Sequence, residues 1–308
     1  MLATRGDYNA EHTRYGFYGV MGPDEFQMMV NHNCYTNYMG QFTLQYTLQI
    51  LQQMKENAPE RLKQVLKQSG LTQEECRDWQ EKADAMHIPY DGKRKLFEQH
   101  VGYFDLPHID VDAIPIEEFP LYSHWTYDRI YRNDMIKQPD VLMFLFLFNS
   151  RFSRDVLKAN YEFYEPRCIH ESSLSPSVHS ILAAQLGKEQ EAFDFFGFAT
   201  RMDLDNYNRN SGEGLHTTSI AAAWMNIVYG FGGLRSDAET LTLRPTIPEK
   251  WDSYRFRIVY RGEILCVHVE KGRVSLQTVN GGSLALLFYD EPITVTGEEQ
   301  WFAIPKNN

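Results

Sequence analysis

The sequence predicts a mainly α-helical chain, arranged as a barrel or solenoid, followed by a small antiparallel all-β unit. Three observations carry this expectation. Helical patterns with broad apolar faces follow one another from Thr36 to Tyr229, and helices apolar over more than one stripe must be covered on more than one side. From about Leu241 the period changes: Tyr254, Phe256, Ile258 and Tyr260 alternate with polar residues, as a half-buried strand does. Pro245 and Pro248 stand between the two textures and mark a linker.

The elements follow in order. Met39, Phe42, Tyr46, Ile50 and Met54 share a stripe on a helix beginning at Thr36, and Leu44, Leu48 and Leu51 widen it, which predicts burial on two sides. Pro59 to Gly70 reads as a short polar helix with Gly70 as its C-cap. Thr72-Gln73-Glu74-Glu75 is a capping box leading to Cys76, Trp79, Ala83 and Met86 on one face. Ile88 to Tyr122 is a long, weakly periodic connection, a type of segment that often carries function. Helical patterns resume near Ser123. Val141 to Phe148 is apolar all round, so it is an inner element. Ser153 and Ser175-Pro176 read as N-caps. Gly187 separates the second of these helices from one over Glu189 to Arg201, and a last helix covers Thr217 to Tyr229. Five strand patterns then run from Tyr254 to Val295, punctuated by Lys271-Gly272 and Asn280-Gly281-Gly282 turns.

The chain has 308 residues, 43% hydrophobic and 14% aromatic, enough for two domains with their own cores. A net charge of -11 argues against nucleic acid and anionic membrane as partners. Cys34, Cys76, Cys168 and Cys266 show no C-x-x-C spacing. They read as reduced, mostly buried thiols of a cytoplasmic protein, with no disulfide frame and no metal site. Met1 to Asp7 lacks the apolar run of a signal peptide. Val141 to Phe148, the longest apolar run, is too short to cross a membrane.

Five polar stretches interrupt the apolar pattern. Gly22-Pro23-Asp24-Glu25-Phe26 puts two carboxylates on a rigid turn beside an apolar run. It reads either as a helix start, with Asp24 as N-cap, or as a site where a carboxyl group is held neutral and serves as a general acid. The Asn31 to Asn37 stretch, with three asparagines, suits either a loop or sugar hydroxyls. Lys137-Gln138 stands just before the all-apolar helix, where the lysine either snorkels outward or reaches into a pocket. His170-Glu171-Ser172-Ser173-Leu174-Ser175-Pro176 and Glu213-Gly214-Leu215-His216-Thr217-Thr218 each precede a helix, whose first N–H groups favour an anion. Ordinary capping explains either stretch alone; together they form a reasonable phosphate cradle. The chain has no G-x-x-x-x-G-K-[ST], H-E-x-x-H or G-x-S-x-G, so nucleotide-loop, zincin and serine-hydrolase readings lack support.

In this order the motifs resemble glycoside hydrolase family 65, which contains inverting maltose, trehalose, kojibiose and nigerose phosphorylases. Gly230-Phe231-Gly232-Gly233-Leu234-Arg235 and the following β unit resemble the family's passage into its C-terminal domain. The resemblance implies part of an (α/α)6 catalytic barrel over residues 1–237 and a β-sheet domain over 238–308. It also assigns roles. Glu25 corresponds to the single general acid, and Lys137 and Gln138 to the pair that holds the glucosyl unit. Ser172, Ser173 and His216 correspond to the phosphate-binding region. The implied reaction cleaves an α-glucosyl disaccharide, maltose by the local wording around Glu25 and Lys137, with inorganic phosphate as co-substrate and no other cofactor. Family members are often homodimers.

In that family a β-sandwich, a linker and the first half of the barrel precede the Gly-Pro-Asp-Glu motif, whereas Met1 stands about two dozen residues before Glu25. The chain therefore resembles the C-terminal part of such an enzyme. A family-65 hydrolase using Glu171 or Glu213 as base is one alternative, and a non-catalytic fragment that binds sugar or phosphate is the other.

Overall fold

Local signals start and stop most of the helices. The computed structural model describes residues 2–207, 209 and 211–305, with the Glu213 side chain outside it. Helix α1 spans Cys34–Asn57, and the Asn33 side chain accepts the Thr36 N–H at 2.9 Å as its cap. The helix thus begins two residues before Thr36, taking in part of the stretch read as a loop. Two-sided burial is confined to its first half: Tyr38 and Leu44 are buried, whereas Tyr46 is 49% exposed. Helix α2 (Pro59–Ser69) closes on Gly70 at φ +69°, the left-handed stop that glycine adopts without strain. Helix α3 (Gln73–Asp84) opens on the expected reciprocal box between Thr72 and Glu75. Leu44 packs with Ala83 and Met86 in a small core between α1 and α3.

Residues 88–122 hold a two-stranded ribbon, Tyr90–Asp91 against Leu96–Phe97, and three single 3-10 turns. Helix α4 (Asp140–Leu147) is the inner element the sequence predicts, with Val141, Leu142, Phe144 and Leu145 fully buried. The Phe144 ring stacks on Tyr38 of α1 at 4.8 Å between centroids. Because Leu142 is 0% exposed in the main core, Leu142→Ala is expected to cost about 2–5 kcal/mol through lost transfer energy and a residual cavity. Leu147→Ala, at a 38% exposed position of the same helix, is expected to stay under about 1 kcal/mol. Thermal unfolding of the two variants checks the difference.

Helix α5 (Arg154–Tyr164) is capped by Ser153 as expected. Helix α6 (Ser175–Leu186) differs: Ser175 lies inside the first turn and leaves the start without a side-chain cap. Its hydroxyl turns back to the Ser172 carbonyl at 3.3 Å. Gly187 closes α6, and α7 (Glu189–Arg201) returns antiparallel, with Ser180 Oγ donating to the Ala192 carbonyl at 2.8 Å. Helix α8 (Thr217–Met225) reverses again, with Ser219 Oγ donating to the Ala199 carbonyl at 2.7 Å, and it packs on both α7 and α6. Two reversals leave the first turns of α6 and α8 at the same end of the layer. Helix α8 then widens into a π turn over Asn226–Phe231.

The β unit is two sheets. Strands β1 (Thr242–Leu243), β2 (Ser253–Tyr260), β3 (Glu263–Glu270), β4 (Arg273–Thr278), β5 (Leu284–Phe288), β6 (Glu291–Val295) and β7 (Gln300–Ala303) occur in chain order. One sheet runs β7-β4-β3-β2, antiparallel throughout, and the other runs β6-β5-β1. The β1–β5 pair is parallel, a departure from the all-antiparallel expectation that a two-residue strand could not announce. Alternate residues Leu265, Val267 and Val269 of β3 fill the core between the sheets. Trp251 packs on Phe196 and Phe231, and the Tyr254 hydroxyl donates to the Phe231 carbonyl at 2.7 Å, so the helical layer and the sheets are joined by a continuous aromatic contact.

Candidate active site

The Gly22 to Phe26 turn is not a helix start. It folds against the segment just before α4. The Glu25 N–H donates to Gln138 Oε1 at 3.0 Å, and Gln138 Nε2 returns a bond to Glu25 Oε2 at 3.1 Å. Lys137 Nζ lies 2.6 Å from the same oxygen. The Lys137 side chain reaches inward, 18% exposed, with its ammonium 5.3 Å from the Tyr122 ring centre. The lysine does not snorkel outward but turns to the acidic turn. Three residues the sequence singled out are thus in direct contact, although Glu25 and Lys137 are 112 positions apart.

The two carboxyls of the turn behave differently. Asp24 is fully buried, and burial pushes it up to about 6 against the lowering pull of the backbone N–H groups of Lys137 and Phe26. Glu25 is half exposed and is held below the usual carboxylate range, chiefly by its bond from Lys137. The expectation of a raised acid in this turn therefore falls on Asp24. Glu25 at rest is a carboxylate, because the cation beside it outweighs its partial burial.

The asparagines of residues 31–37 are engaged within the protein. Asn31 accepts the Gly19 N–H, Asn33 caps α1, and Asn37 accepts the Phe17 N–H while donating to the His87 carbonyl. Asn33 and Asn37 are fully buried, which removes the sugar-hydroxyl reading for these two and makes them part of the frame for the acidic turn. Gly22 belongs to the same frame: a Cβ there would meet Asp140 Oδ2 at 2.3 Å and the Asn33 side chain at 2.6 Å. Gly22→Ala is expected to destabilise the chain by roughly 1–3 kcal/mol, as overpacking does. Chemical denaturation checks this; an unchanged midpoint would mean that the turn does not rest on Asp140.

Ile136 pairs in parallel with Cys168, its N–H donating to the Arg167 carbonyl and its carbonyl accepting the Ile169 N–H. This backbone bridge sets Lys137 beside the loop leading to Ser172 and Ser173. Ser172 is buried with its hydroxyl accepting the Leu174 N–H at 3.2 Å, and Ser173 is half-buried. His216 immediately precedes α8, and its Nδ1 lies 2.6 Å from Asp203 Oδ1 while its N–H donates to Asp203 Oδ2 at 2.8 Å. With the Nδ1 proton directed at a carboxylate, Nε2 is the nitrogen left for a ligand. Sequence reading missed Asp203, an acid thirteen residues upstream of the histidine it orients. Ser172, Ser173 and His216 stand before two parallel helix starts at one end of the layer.

A cavity of about 310 Å³ opens between these loops, lined by Tyr122, Ile169, His170, Glu171, Tyr207 and Arg209 among others. Burial raises Glu171 to about 7, and one of its oxygens accepts the Leu121 N–H at 2.8 Å. Cys168, His170 and His179 bring donor atoms within 4.8 Å of one another, a grouping invisible in their spacing. Phe195 packs on both imidazoles, and His179 Nδ1 donates to the Ser175 carbonyl at 2.8 Å. These contacts make the group the wall behind the serine loop. Among the described residues no helix is long and apolar enough to cross a membrane.

Comparison with known proteins agrees with this layout. Residues 1–225 match the glycosyl hydrolase family 65 central catalytic domain, and residues 234–295 match the family's C-terminal domain. The chain is 40% identical over 295 residues to maltose phosphorylase of Bacillus subtilis (strain 168), covering 96% of this chain and 38% of that protein. It is 38% identical over 274 residues to alpha,alpha-trehalose phosphorylase of Thermoanaerobacter brockii, covering 89% of this chain and 35% of that protein. A solved structure described as "Putative kojibiose phosphorylase from human microbiome" superposes with a TM-score of 0.92 at 48% identity, over 100% of this chain and 45% of that one. The chain thus spans little more than a third of the length of these curated relatives. With both family domains matched in order, the chain belongs to glycosyl hydrolase family 65.

Proposed function

We propose that this chain carries the acid side and the phosphate side of an inverting disaccharide phosphorylase. Glu25 is the general acid that protonates the departing glycosidic oxygen. Lys137 and Gln138 hold the glucosyl unit, and Ser172, Ser173 and His216 hold inorganic phosphate. The observation that carries the reading is the Lys137–Glu25–Gln138 contact, one carboxyl joined to a cation and a carboxamide that sugar hydroxyls can take over. An inverting hydrolase needs a second carboxylate to activate water on the opposite face of the sugar. Phosphate already carries its charge, so a phosphorylase needs only to hold it in line with the leaving oxygen. Attack at C1 of an α-glucoside with inversion yields β-glucose 1-phosphate.

The proposed substrate is maltose, in keeping with the relative from Bacillus subtilis; kojibiose comes next, through the 48% identical structure. Residues 1–237 are read as the barrel part and 238–308 as the β-sheet domain. The protein is taken as cytoplasmic, a possible homodimer, with no metal or organic cofactor. Sugar release from maltose, trehalose, kojibiose and nigerose, with and without phosphate, tests the proposal. Release that depends on phosphate supports it. Equal rates without phosphate would favour a hydrolase using Glu171 or Glu213 as base. Cooperative folding with no turnover on any sugar would favour the binding fragment.

His216→Ala is expected to raise the Michaelis constant for phosphate roughly 10–100-fold, the worth of one hydrogen bond to a charged group. The constant for the disaccharide should change far less. Steady-state kinetics with each substrate varied separately reads the split, and equal changes in both would remove His216 from the phosphate site.

A further inference from the structure

Two buried carboxyls have no place in the proposed chemistry. Asp24 and Asp140 are both 0% exposed, and they are arranged crosswise. Asp24, the residue before Glu25, accepts the backbone N–H of Lys137 at 2.9 Å and that of Phe26 at 3.1 Å on Oδ1. Its Oδ2 accepts Gln99 Nε2 at 2.8 Å. Asp140, two residues after Gln138, accepts the backbone N–H of Asp24 at 2.6 Å on Oδ1 and Asn33 Nδ2 at 2.6 Å on Oδ2. Each carboxyl thus holds the backbone of the segment that carries the other.

We propose that Asp24 and Asp140 are positioning residues, a reciprocal clamp that sets the Glu25 carboxyl against Lys137 and Gln138. The functional meaning rests on Glu25 being the acid, but the clamp itself is a statement about geometry in this chain. The physical case is one of tolerance. Glu25 and Lys137 have long, rotatable side chains, so a 2.6 Å contact held by side chains alone costs rotamer entropy and drifts. Clamping the two backbones removes most of that freedom. Catalytic groups need placement to within about 0.5 Å, and a displacement of about 1 Å can cost roughly 10²-fold in rate.

The hydrogen-bond polarity of the clamp gives it a signature. Gln99 Oε1 is buried with no partner, so its amide can turn and accept from an asparagine at position 24. Asp24→Asn therefore keeps the ties, whereas Asp24→Ala removes them. Asp140 has donors on both oxygens, so Asp140→Asn puts an NH2 group against the Asp24 N–H or against Asn33. Asn33 cannot turn to relieve this, because its oxygen caps α1 at Thr36. The exchange Asn33→Asp with Asp140→Asn restores the match: the new carboxylate caps the helix and accepts from the new amide.

The readout is titration of the Glu25 carboxyl by 13C NMR in chain 1–308 labelled at glutamate Cδ, with the Glu25 signal identified by its loss in Glu25→Gln. No turnover is required, so a failed clamp and a failed acid assignment are told apart. Wild type, Asp24→Asn and the Asn33→Asp/Asp140→Asn pair are expected to titrate below the ordinary glutamate range. Asp24→Ala and Asp140→Asn alone are expected to move up into it. The proposal is overturned if folded Asp24→Ala or folded Asp140→Asn, as a single substitution, keeps the wild-type midpoint. It is equally overturned if Asp24→Asn or the exchange pair, which preserve the bonds and are expected to fold, lose it.

Discussion

Glu25→Gln is expected to lower phosphorolysis of the disaccharide roughly 10²–10⁴-fold, the usual worth of a positioned proton donor. Thermal unfolding should be nearly unchanged, because the side chain is half exposed and glutamine can keep the bond from Gln138 or that from Lys137. The decisive arm uses α-glucosyl fluoride in place of the disaccharide. Fluoride leaves without needing a full proton, so the variant should lose far less of its activity on this substrate. An equal loss on both substrates would mean that Glu25 positions the sugar and does not protonate it.

The second large effect belongs to Lys137→Met. Losing the cation should weaken binding at the glucosyl subsite roughly 10–100-fold, as for one charge-assisted hydrogen bond. It should also raise the Glu25 titration, because the ammonium is the main influence that favours the carboxylate. The sign for stability follows. Glu25 is depressed in the folded chain, so the ion pair's contribution is present above the ordinary carboxylate value and is lost as pH falls through the folded one. A proton donor held as a carboxylate must gain its proton before it acts. When sugar hydroxyls take Lys137 and Gln138, the carboxyl loses what kept it charged, so sugar binding near neutral pH is expected to take up a proton. Calorimetry in two buffers of different ionisation enthalpy measures this; binding heats that are independent of buffer would contradict it.

What the sequence discloses depends on how far each residue's partner lies along the chain. The Thr72–Glu75 box, the Gly70 and Gly187 stops and the apolar faces of α4 are local, and each is read correctly from a few neighbours. Ser175 is misread because its hydroxyl bonds backward to Ser172 instead of capping forward. The choice between loop and sugar contact stays open for Asn33 in the sequence, because one of its partners, Asp140, is 107 positions away. The site itself is legible only as an ordered set of motifs. The Lys137–Glu25 contact, the Asp203 support of His216 and the inversion of the Asp24 and Glu25 acidities all arise from long-range packing. Asp203 had one usable signal, an acidic residue at the end of α7 facing the loop that leads to the histidine.

The central claim, that Glu25 protonates a glycosidic oxygen while phosphate attacks C1, is tested most directly by the identity of the first product. Proton NMR of maltose incubated with the protein and phosphate is expected to show β-glucose 1-phosphate forming in equal amount with glucose, and neither forming without phosphate. Free glucose released from both halves of the sugar at the same rate without phosphate, or α-glucose 1-phosphate as first product, would contradict it.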